Sequence, residues 1–410
     1  MTAPQTSIYG SALAMRRSVD SIAAGNTLVD HYEEPIRHPI DVHDDSLRDG
    51  EQTVGVAFSP ERKIEIARGL LDAGIRYMSL GYPAVSEAER EAIRAVAQVG
   101  DAAHFSCLSR ATREDIEAVV ACGIPNVALF IGVSDVHLVH RLRITVDQAY
   151  ARMREQLALA RSYGLNARFV LEDATRTPPE RLKRFAGGAI EAGATLVTIP
   201  DTCGVLTPMT AYRMVKGLTK TIGEGRLVVH FHNDLGMATA NTLAACAAGA
   251  RFAQGTLNGI GERAGNTNLE QLVVGLRVKY GVDLGVNLPK LSALSRQMAE
   301  WMHFPVPPHQ PISGEYVFSH ESGIHVHGIM NDPACYEPFP PELIGRFHEI
   351  RYGKHSGISS LKYLAQKLGR DVDTSALDAI LATVKKRADD QATMKPAEIE
   401  DLLRAAPLQT

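Results

Sequence analysis

Two histidines and a charged turn supply the side chains of this sequence that are best suited to chemistry. The segment LVVHFH (227–232) reads as a β-strand, in which His230 and His232 point to the same face. Two imidazoles on one face can share a metal ion, although such pairs also occur as ordinary polar side chains beside a turn. Arg48 and Asp49 lie in DVHDDSLRDGEQ, directly after an apolar segment, and belong either to a reaction centre or to a solvated turn.

Asn266 would complete a metal site. It ends the glycine-rich loop NGIGERAGN, which follows the last strand of the pattern described below. With Asp49, His230 and His232 it gives a mixed oxygen and nitrogen set that suits Mg²⁺, Mn²⁺ or Zn²⁺ acting as a Lewis acid. The loop resembles a nucleotide-binding loop only superficially, because no Lys-Ser/Thr pair follows it.

A second pair of charged residues lies on one face of the segment ARFVLE (167–172). Burying charge on the inner face of a barrel is costly unless the group is paired or functional. We therefore interpret Glu172 as a candidate base and Arg168 as a candidate anion clamp, with structural pairing of Arg168 and the acids as the alternative. Thr202 could hydrogen-bond a carboxylate, and Arg48 could stabilise charge developing on a ketone oxygen. A 2-oxo acid that chelates the metal while a carbon–carbon bond forms or breaks would use all of these groups.

The elements that would position these residues alternate regularly between short apolar segments and helical patterns. In SPERKIEIARGLLDAG, for example, Ser59 is a plausible N-cap, Pro60 the first helical residue and Gly74 the C-cap. Eight strands that alternate with helices predict an α/β fold, a (β/α)8 TIM barrel with C-terminal α-rich subdomains, rather than a doubly wound sheet. Its active site would lie at the C-terminal ends of the strands. The segments lie near 40–42, 77–81, 104–108, 126–132, 167–171, 195–200, 227–232 and 251–257.

Composition and the change in the strand–helix pattern along the sequence divide the chain of 410 residues into four parts. We predict an N-terminal extension (1–38), the catalytic barrel (39–302), a linker and subdomain that begins Pro-rich (303–360), and a C-terminal helical subdomain (361–410). The net charge of −4 argues against broad nucleic-acid binding, and no apolar run is long enough to span a membrane. Five scattered cysteines and the lack of a secretory signal favour a cytoplasmic protein.

Five motifs, spread from about residue 40 to about residue 357, give this sequence a resemblance to a known family. It resembles the isopropylmalate synthase/homocitrate synthase family, and within it is most similar to bacterial homocitrate synthases. The resemblance implies an acyltransferase that condenses acetyl-CoA with a 2-oxo acid, hydrolyses the thioester and requires a divalent metal. The motifs are LRDGEQ (47–52), EDATR (172–176), HFHNDLGMATANTLAA (230–245), NGIGERAGN (258–266) and SHESGIH (319–325).

The resemblance also implies a role for individual residues. By motif, Asp49, His230 and His232 match the metal ligands, with Asn266 as a fourth or neighbouring group. Arg48 matches the residue that polarises the oxo group, and Gln52 and Thr202 match substrate contacts. Glu172, His325 and Tyr336 resemble the acid/base group of the family, in which the last two come from the other subunit of a domain-swapped homodimer.

The identity of the 2-oxo acid is left open by the sequence. Arg168 matches the arginine by which homocitrate synthases hold the distal carboxylate of 2-oxoglutarate, which favours homocitrate as the product. Val170 stands where a serine often helps to hold that carboxylate, and Ser79 stands where glutamate is common. A phosphonopyruvate or phosphinopyruvate substrate is therefore an alternative, as are the isopropylmalate and citramalate reactions.

Two other classes of protein share this scaffold. One is a carbon–carbon lyase related to 3-hydroxy-3-methylglutaryl-CoA lyase, which carries a cysteine in its late glycine-rich loop. NGIGERAGN has none, and Glu51 stands where that lyase has a leucine or a similar residue, so the sequence disfavours a lyase. The other is a catalytically silent binding protein, which the intact set of charged residues disfavours.

Overall fold

The computed structural model describes residues 35–390 and 394–409, so most of the predicted N-terminal extension lies outside the described residues. The described chain falls into two compact units, which divide between Val306 and Pro307.

The first unit is a closed barrel of eight parallel strands, in which each strand pairs with the next and β8 pairs with β1. This confirms the predicted TIM barrel. The strands are β1 Asp41–Asp44, β2 Tyr77–Gly81, β3 Phe105–Arg110, β4 Asn126–Gly132, β5 Asn166–Glu172, β6 Leu196–Asp201, β7 Leu227–Phe231 and β8 Phe252–Gly255.

Helices connect the strands and surround the barrel. Ser59 caps the first of them as predicted, since its hydroxyl accepts a hydrogen bond from the backbone N–H of Arg62. The helix ends one residue earlier than predicted: Ala73 is the C-cap, and Gly74 follows it with a φ of +92° that favours glycine. The helices are α1 Pro60–Asp72, α2 Glu87–Ala97, α3 Arg113–Ala121, α4 Val146–Ser162, α5 Pro179–Glu191, α6 Pro208–Ile222, α7 Ala238–Ala247, α8 Leu269–Tyr280 and α9 Leu288–Met302.

The hydrophobic core of this unit lies between the strands and the surrounding helices. Phe105, Phe169, Phe185 and Phe231 are completely buried there. Because side chains alternate along a strand, burial of Phe231 toward the helices turns its neighbour His230 toward the barrel interior. The same alternation on β5 buries Phe169 and turns Arg168 inward.

The second unit contains a two-stranded parallel sheet of β9 Ser319–His320 and β10 Glu349–Ile350. Its helices are α10 Gly323–Asn331, α11 Ile358–Lys367, α12 Thr374–Asp389 and α13 Pro396–Ala405, the last three packed around a core that includes Leu361, Ile380 and Leu403. In the described part of the chain, no helix has the length and apolar character needed to cross a membrane. All five cysteines are free thiols.

Candidate active site

A cavity of about 260 Å³ opens at the C-terminal ends of the barrel strands, where the sequence places the active site. Polar side chains from β1, β5, β6 and β7, or from the turns that follow these strands, converge on it. Eight of the residues selected from the sequence line it: Arg48, Asp49, Gln52, Arg168, Glu172, Thr202, His230 and His232.

Asp49, His230 and His232 form a cluster with the composition of a metal site. Each offers one ligand atom, and the three atoms lie within 4.8 Å of one another. Nε2 of His230 is 3.3 Å from Oδ2 of Asp49, and all three residues are buried. Burial would raise the pKa of Asp49, but the Arg48 guanidinium and His230 outweigh it and hold that pKa well below its usual range.

The residues present fit a divalent cation. Nδ1 of His232 is buried and has no hydrogen-bond partner among the described residues, and the same is true of Oδ1 of Asn266. Burial, and then the neighbouring His230, lower the pKa of His232 to about 4, so its imidazole is neutral near pH 7, the form that binds metals. The Nδ2 of Asn266 donates to Oδ1 of Asp49 over 3.0 Å, which places this amide beside the cluster.

Asp45, to which the sequence assigns no role, contacts both Arg48 and His230. Its Oδ2 accepts a hydrogen bond from Nη2 of Arg48 at 2.6 Å and lies 3.0 Å from Nδ1 of His230. Its Oδ1 accepts from Nε2 of Gln254 at 2.9 Å. A carboxylate on Nδ1 fixes the tautomer that leaves the Nε2 lone pair of His230 free for a metal. Its position in the sequence could have indicated this role, because Asp45 lies two residues after His43, whose side chain also faces the barrel interior.

Backbone geometry brings the charged turn to the barrel end. The N–H groups of Arg48, Asp49 and Gly50 all donate to the carbonyl oxygen of Asp45, at 2.8–3.1 Å, which folds the chain back directly after β1. The opposing loop approaches through Gly261, at φ +146°, where an added Cβ would lie 2.1 Å from Nδ2 of Asn266. Only glycine allows that approach.

Arg168 is a buried cation. The residue is 8% exposed, and its side chain forms neither an ion pair nor a hydrogen bond with any residue that the structure describes. Burial lowers its pKa to about 10, so the guanidinium remains charged near neutrality. It lines both the active-site cavity and a second cavity of about 130 Å³ at the N-terminal ends of the strands. A buried charge of this kind requires an anion.

Glu172 has a partner that the sequence did not indicate. Arg141 binds both of its carboxylate oxygens, with Nη1 2.7 Å from Oε1 and Nη2 in contact with Oε2, and Nδ1 of His137 lies 3.8 Å from Oε2. Arg141 and His137 belong to a π-helical turn, His137–Leu142, after β4. Among the described residues, Arg168 forms no ion pair with Glu172, whose carboxylate is bound by Arg141.

Thr202 presents its hydroxyl in the cavity with a defined orientation. The Oγ1 accepts a hydrogen bond from the backbone N–H of Asp173 at 3.0 Å, so its own hydrogen is available for a ligand oxygen. Its carbonyl oxygen accepts from Nη2 of Arg263 at 2.6 Å, and Arg263 also pairs with Asp234. These contacts hold the DTCG turn beside the loop that carries Asn266.

His325 and Tyr336 lie in the second unit, where the structure brings them together. Their ring centroids are 4.2 Å apart with the planes tilted by 34°. His325 is on α10, and Tyr336 follows the short helix Pro333–Cys335. Both are exposed, Tyr336 to 42%, so the stacked pair presents its polar atoms at the surface of that unit.

The buried carboxyl of Glu270 holds the loop that carries Asn266 through hydrogen bonds. Glu270, in the first turn of α8, is 2% exposed and accepts hydrogen bonds from the backbone N–H of Asn258 at 3.0 and 3.1 Å. Burial raises the pKa of Glu270 to about 7. This group lies outside the cavity and takes no part in its chemistry.

Comparison with known proteins identifies the family. Residues 40–298 match the family model described as HMGL-like, and residues 312–392 match the homocitrate synthase post-HMGL domain-like model. The 2-isopropylmalate synthase of Sulfolobus acidocaldarius is 40% identical over 349 residues, which cover 85% of this chain and 90% of that protein. The chain belongs to the isopropylmalate synthase/homocitrate synthase family. Homocitrate synthase AksA of Methanopyrus kandleri is 39% identical over 363 residues, 88% of this chain and 91% of that protein.

Membership in the family confirms the predicted class, an acetyl-CoA-dependent condensing acyltransferase. Enzymes of this family use acetyl-CoA as a co-substrate together with a divalent metal. Among solved structures, HMG-CoA lyase of Bacillus subtilis superposes with a TM-score of 0.59 over 67% of this chain and 97% of that protein. At 22% identity this similarity shows the fold alone. Relatives named for two different products match almost equally well, so identity does not choose the 2-oxo acid.

Proposed function

We propose that this protein condenses acetyl-CoA with a 2-oxo acid that carries a second anionic group, and that 2-oxoglutarate, giving homocitrate, is the best candidate. The observation that carries this proposal is Arg168, a charged guanidinium that lines the cavity and has no partner among the described residues. A distal carboxylate would supply the missing anion through charge-assisted hydrogen bonds. The neutral branched tail of 2-oxoisovalerate would leave the guanidinium buried and unpaired.

The metal ligands would be Asp49, His230 and His232, with Asn266 beside them. A divalent ion held there would act as a Lewis acid toward the ketone of the 2-oxo acid. Asp45 keeps His230 in the tautomer that this arrangement requires.

The remaining residues bind the substrate and move protons. Arg48 donates to the ketone oxygen as negative charge develops there, while Asp45 and Asp49 hold its guanidinium in place. Thr202 and Gln52 contact the substrate beside it. A proton leaves the acetyl methyl group, the resulting carbon attacks the ketone carbon, and the ketone oxygen becomes a hydroxyl. Water then cleaves the thioester and releases free CoA.

The proton transfer at the methyl carbon is assigned to Glu172, His325 and Tyr336. Arg141 holds Glu172 in a fixed orientation at the edge of the cavity. His325 and Tyr336 would come from the second subunit of a domain-swapped homodimer, a proposal that their shared exposure in the second unit supports. Mixing inactive H232A and H325A proteins under conditions of subunit exchange should then restore up to about a quarter of the activity. Recovery of none would place both residues in the same subunit.

Release of free CoA thiol over a panel of 2-oxo acids tests the proposed substrate. We expect turnover with 2-oxoglutarate and none of comparable efficiency with 2-oxoisovalerate or pyruvate. Preference for phosphonopyruvate would keep the role of Arg168 and change the anion that it binds. Efficient turnover of 2-oxoisovalerate would instead make the protein a 2-isopropylmalate synthase and overturn the proposal.

A further inference from the structure

A second cluster of metal-ligating side chains lies in the unit that follows the barrel. His320 is on β9, His348 directly precedes β10, and Glu337 follows the short helix Pro333–Cys335. The parallel pairing of β9 with β10 places His320 opposite Ile350, so His348 lies two register positions away on the same face of the small sheet. All three residues belong to one compact unit.

The ligand atoms are close enough for one ion. One atom from each residue lies within 4.8 Å of the others. Nδ1 of His348 is 2.5 Å from Oε1 of Glu337, and Nε2 of His320 is 3.5 Å from the same oxygen. The side chain of Glu337 is 2% exposed and that of His348 is 1% exposed, while His320 closes the cluster at 11%.

The carboxylate of Glu337 is not satisfied by its neighbours. Among the described residues, neither of its oxygens has a hydrogen bond with acceptable angles, and Nε2 of His320 has none either. Both histidine nitrogens nevertheless lie within 3.5 Å of Oε1 of Glu337. A buried carboxylate without hydrogen bonds is costly.

We propose that His320, Glu337 and His348 bind a divalent transition-metal ion of the zinc type, separate from the catalytic metal of the barrel. Two imidazoles and one carboxylate are a common ligand set for such ions. At ligand distances of about 2.0–2.1 Å, tetrahedral ligand atoms lie about 3.3 Å apart, so the contact between His320 and Glu337 already fits. When the ion binds, the distance between Nδ1 of His348 and Oε1 of Glu337, now 2.5 Å, would increase by less than about 1 Å. The ion cross-links three segments of a unit that has few strands of its own.

Metal analysis of the full-length protein tests the proposal. After loading with Zn²⁺ and dialysis, we expect two zinc ions per chain in the native sequence and one in H232A, which removes a barrel ligand. The double variant H232A/E337Q should retain none. H232A/H327Q is the matched control, since His327 is an exposed histidine of the same unit that lies outside the cluster, and it should retain one.

The same samples exclude the alternatives. If H232A retains no zinc, or if H232A/E337Q still retains one, the proposal is wrong and the cluster is a buried ion pair. Should E337Q prevent folding, H320Q changes the most exposed ligand and carries the same expectation. Substitution of Co²⁺ for Zn²⁺ adds a spectroscopic reading: a tetrahedral visible spectrum should persist in H232A and disappear in H232A/H320Q.

Discussion

Replacement of Arg168 by methionine should change which substrate the enzyme uses rather than abolish its chemistry. Methionine keeps an unbranched, flexible side chain and removes the charge. In the native protein Arg168 is 8% exposed, and its side chain has no hydrogen bond or ion pair with the described residues, so a bound carboxylate can take two of its N–H groups. Hydrogen bonds to charged groups contribute about 1.5–3 kcal/mol each. Loss of two such bonds therefore costs at least about 3 kcal/mol, or about 150-fold in kcat/KM.

The assay is CoA thiol release with 2-oxoglutarate and with 2-oxobutyrate, whose tail is neutral. R168M should lose about 150-fold or more with 2-oxoglutarate and little or nothing with 2-oxobutyrate. R184M is the matched control, because Arg184 pairs with Asp147 on the outside of the barrel and its side chain is 48% exposed. If R168M lowers activity equally for both substrates, Arg168 has a structural role and the argument for an anionic tail fails.

Three further substitutions test other parts of the structure. H232A should lose one bound metal ion per chain together with activity, measured by metal analysis and thiol release; activity that survives that loss would refute the metal assignment. D45N should weaken metal binding by about 10–100-fold in a metal titration, because the imidazole of His230 loses the carboxylate charge beside its Nδ1, and an unchanged affinity would contradict that role. E270Q should remove a pH-dependent loss of stability. Because the pKa of Glu270 is raised, the folded state keeps a proton that the unfolded state releases above pH 4.5. Each pH unit from 4.5 to about 7 therefore lowers the free energy of unfolding by up to about 1.4 kcal/mol. In denaturant unfolding, the free energy of unfolding of E270Q should therefore increase relative to that of the native protein as pH rises from 5 to 8. If the two free energies changed with pH in parallel, that result would argue against the raised pKa.

The barrel and most of the cavity were predictable because both follow from periodicity. β2 and β4 have the bounds that the sequence indicates, and the alternation on β7 placed both histidines on the inner face. Since a TIM barrel brings the C-terminal ends of all its strands together, side chains at those ends meet regardless of their distance in sequence. That rule alone brought Asp49, Glu172 and His230 to one cavity, whereas Arg168 lies in the first half of β5.

The partners of these residues were not predictable by the same means. Arg141 reaches Glu172 from a π-helical turn, and no periodic pattern specifies such a turn or the direction of its side chains. Asp45 was one of five acidic residues in a short segment, and only the fold of the turn distinguishes it from Asp44, whose oxygens accept hydrogen bonds from Ser46 instead. The cluster of His320, Glu337 and His348 depends on the pairing of two strands of two residues each, which are too short to predict.

The position of Arg168 between two cavities has a consequence for the length of substrate that the barrel admits. Its side chain lies between the cavity of about 260 Å³ at the catalytic end and the cavity of about 130 Å³ at the opposite end, so the guanidinium limits how far the substrate tail can extend into the barrel. The second cavity already provides space beyond Arg168. A shorter residue at position 168 would join the two volumes, and this chain would then have the depth to accept 2-oxo acids with tails several carbons longer without any change in its backbone.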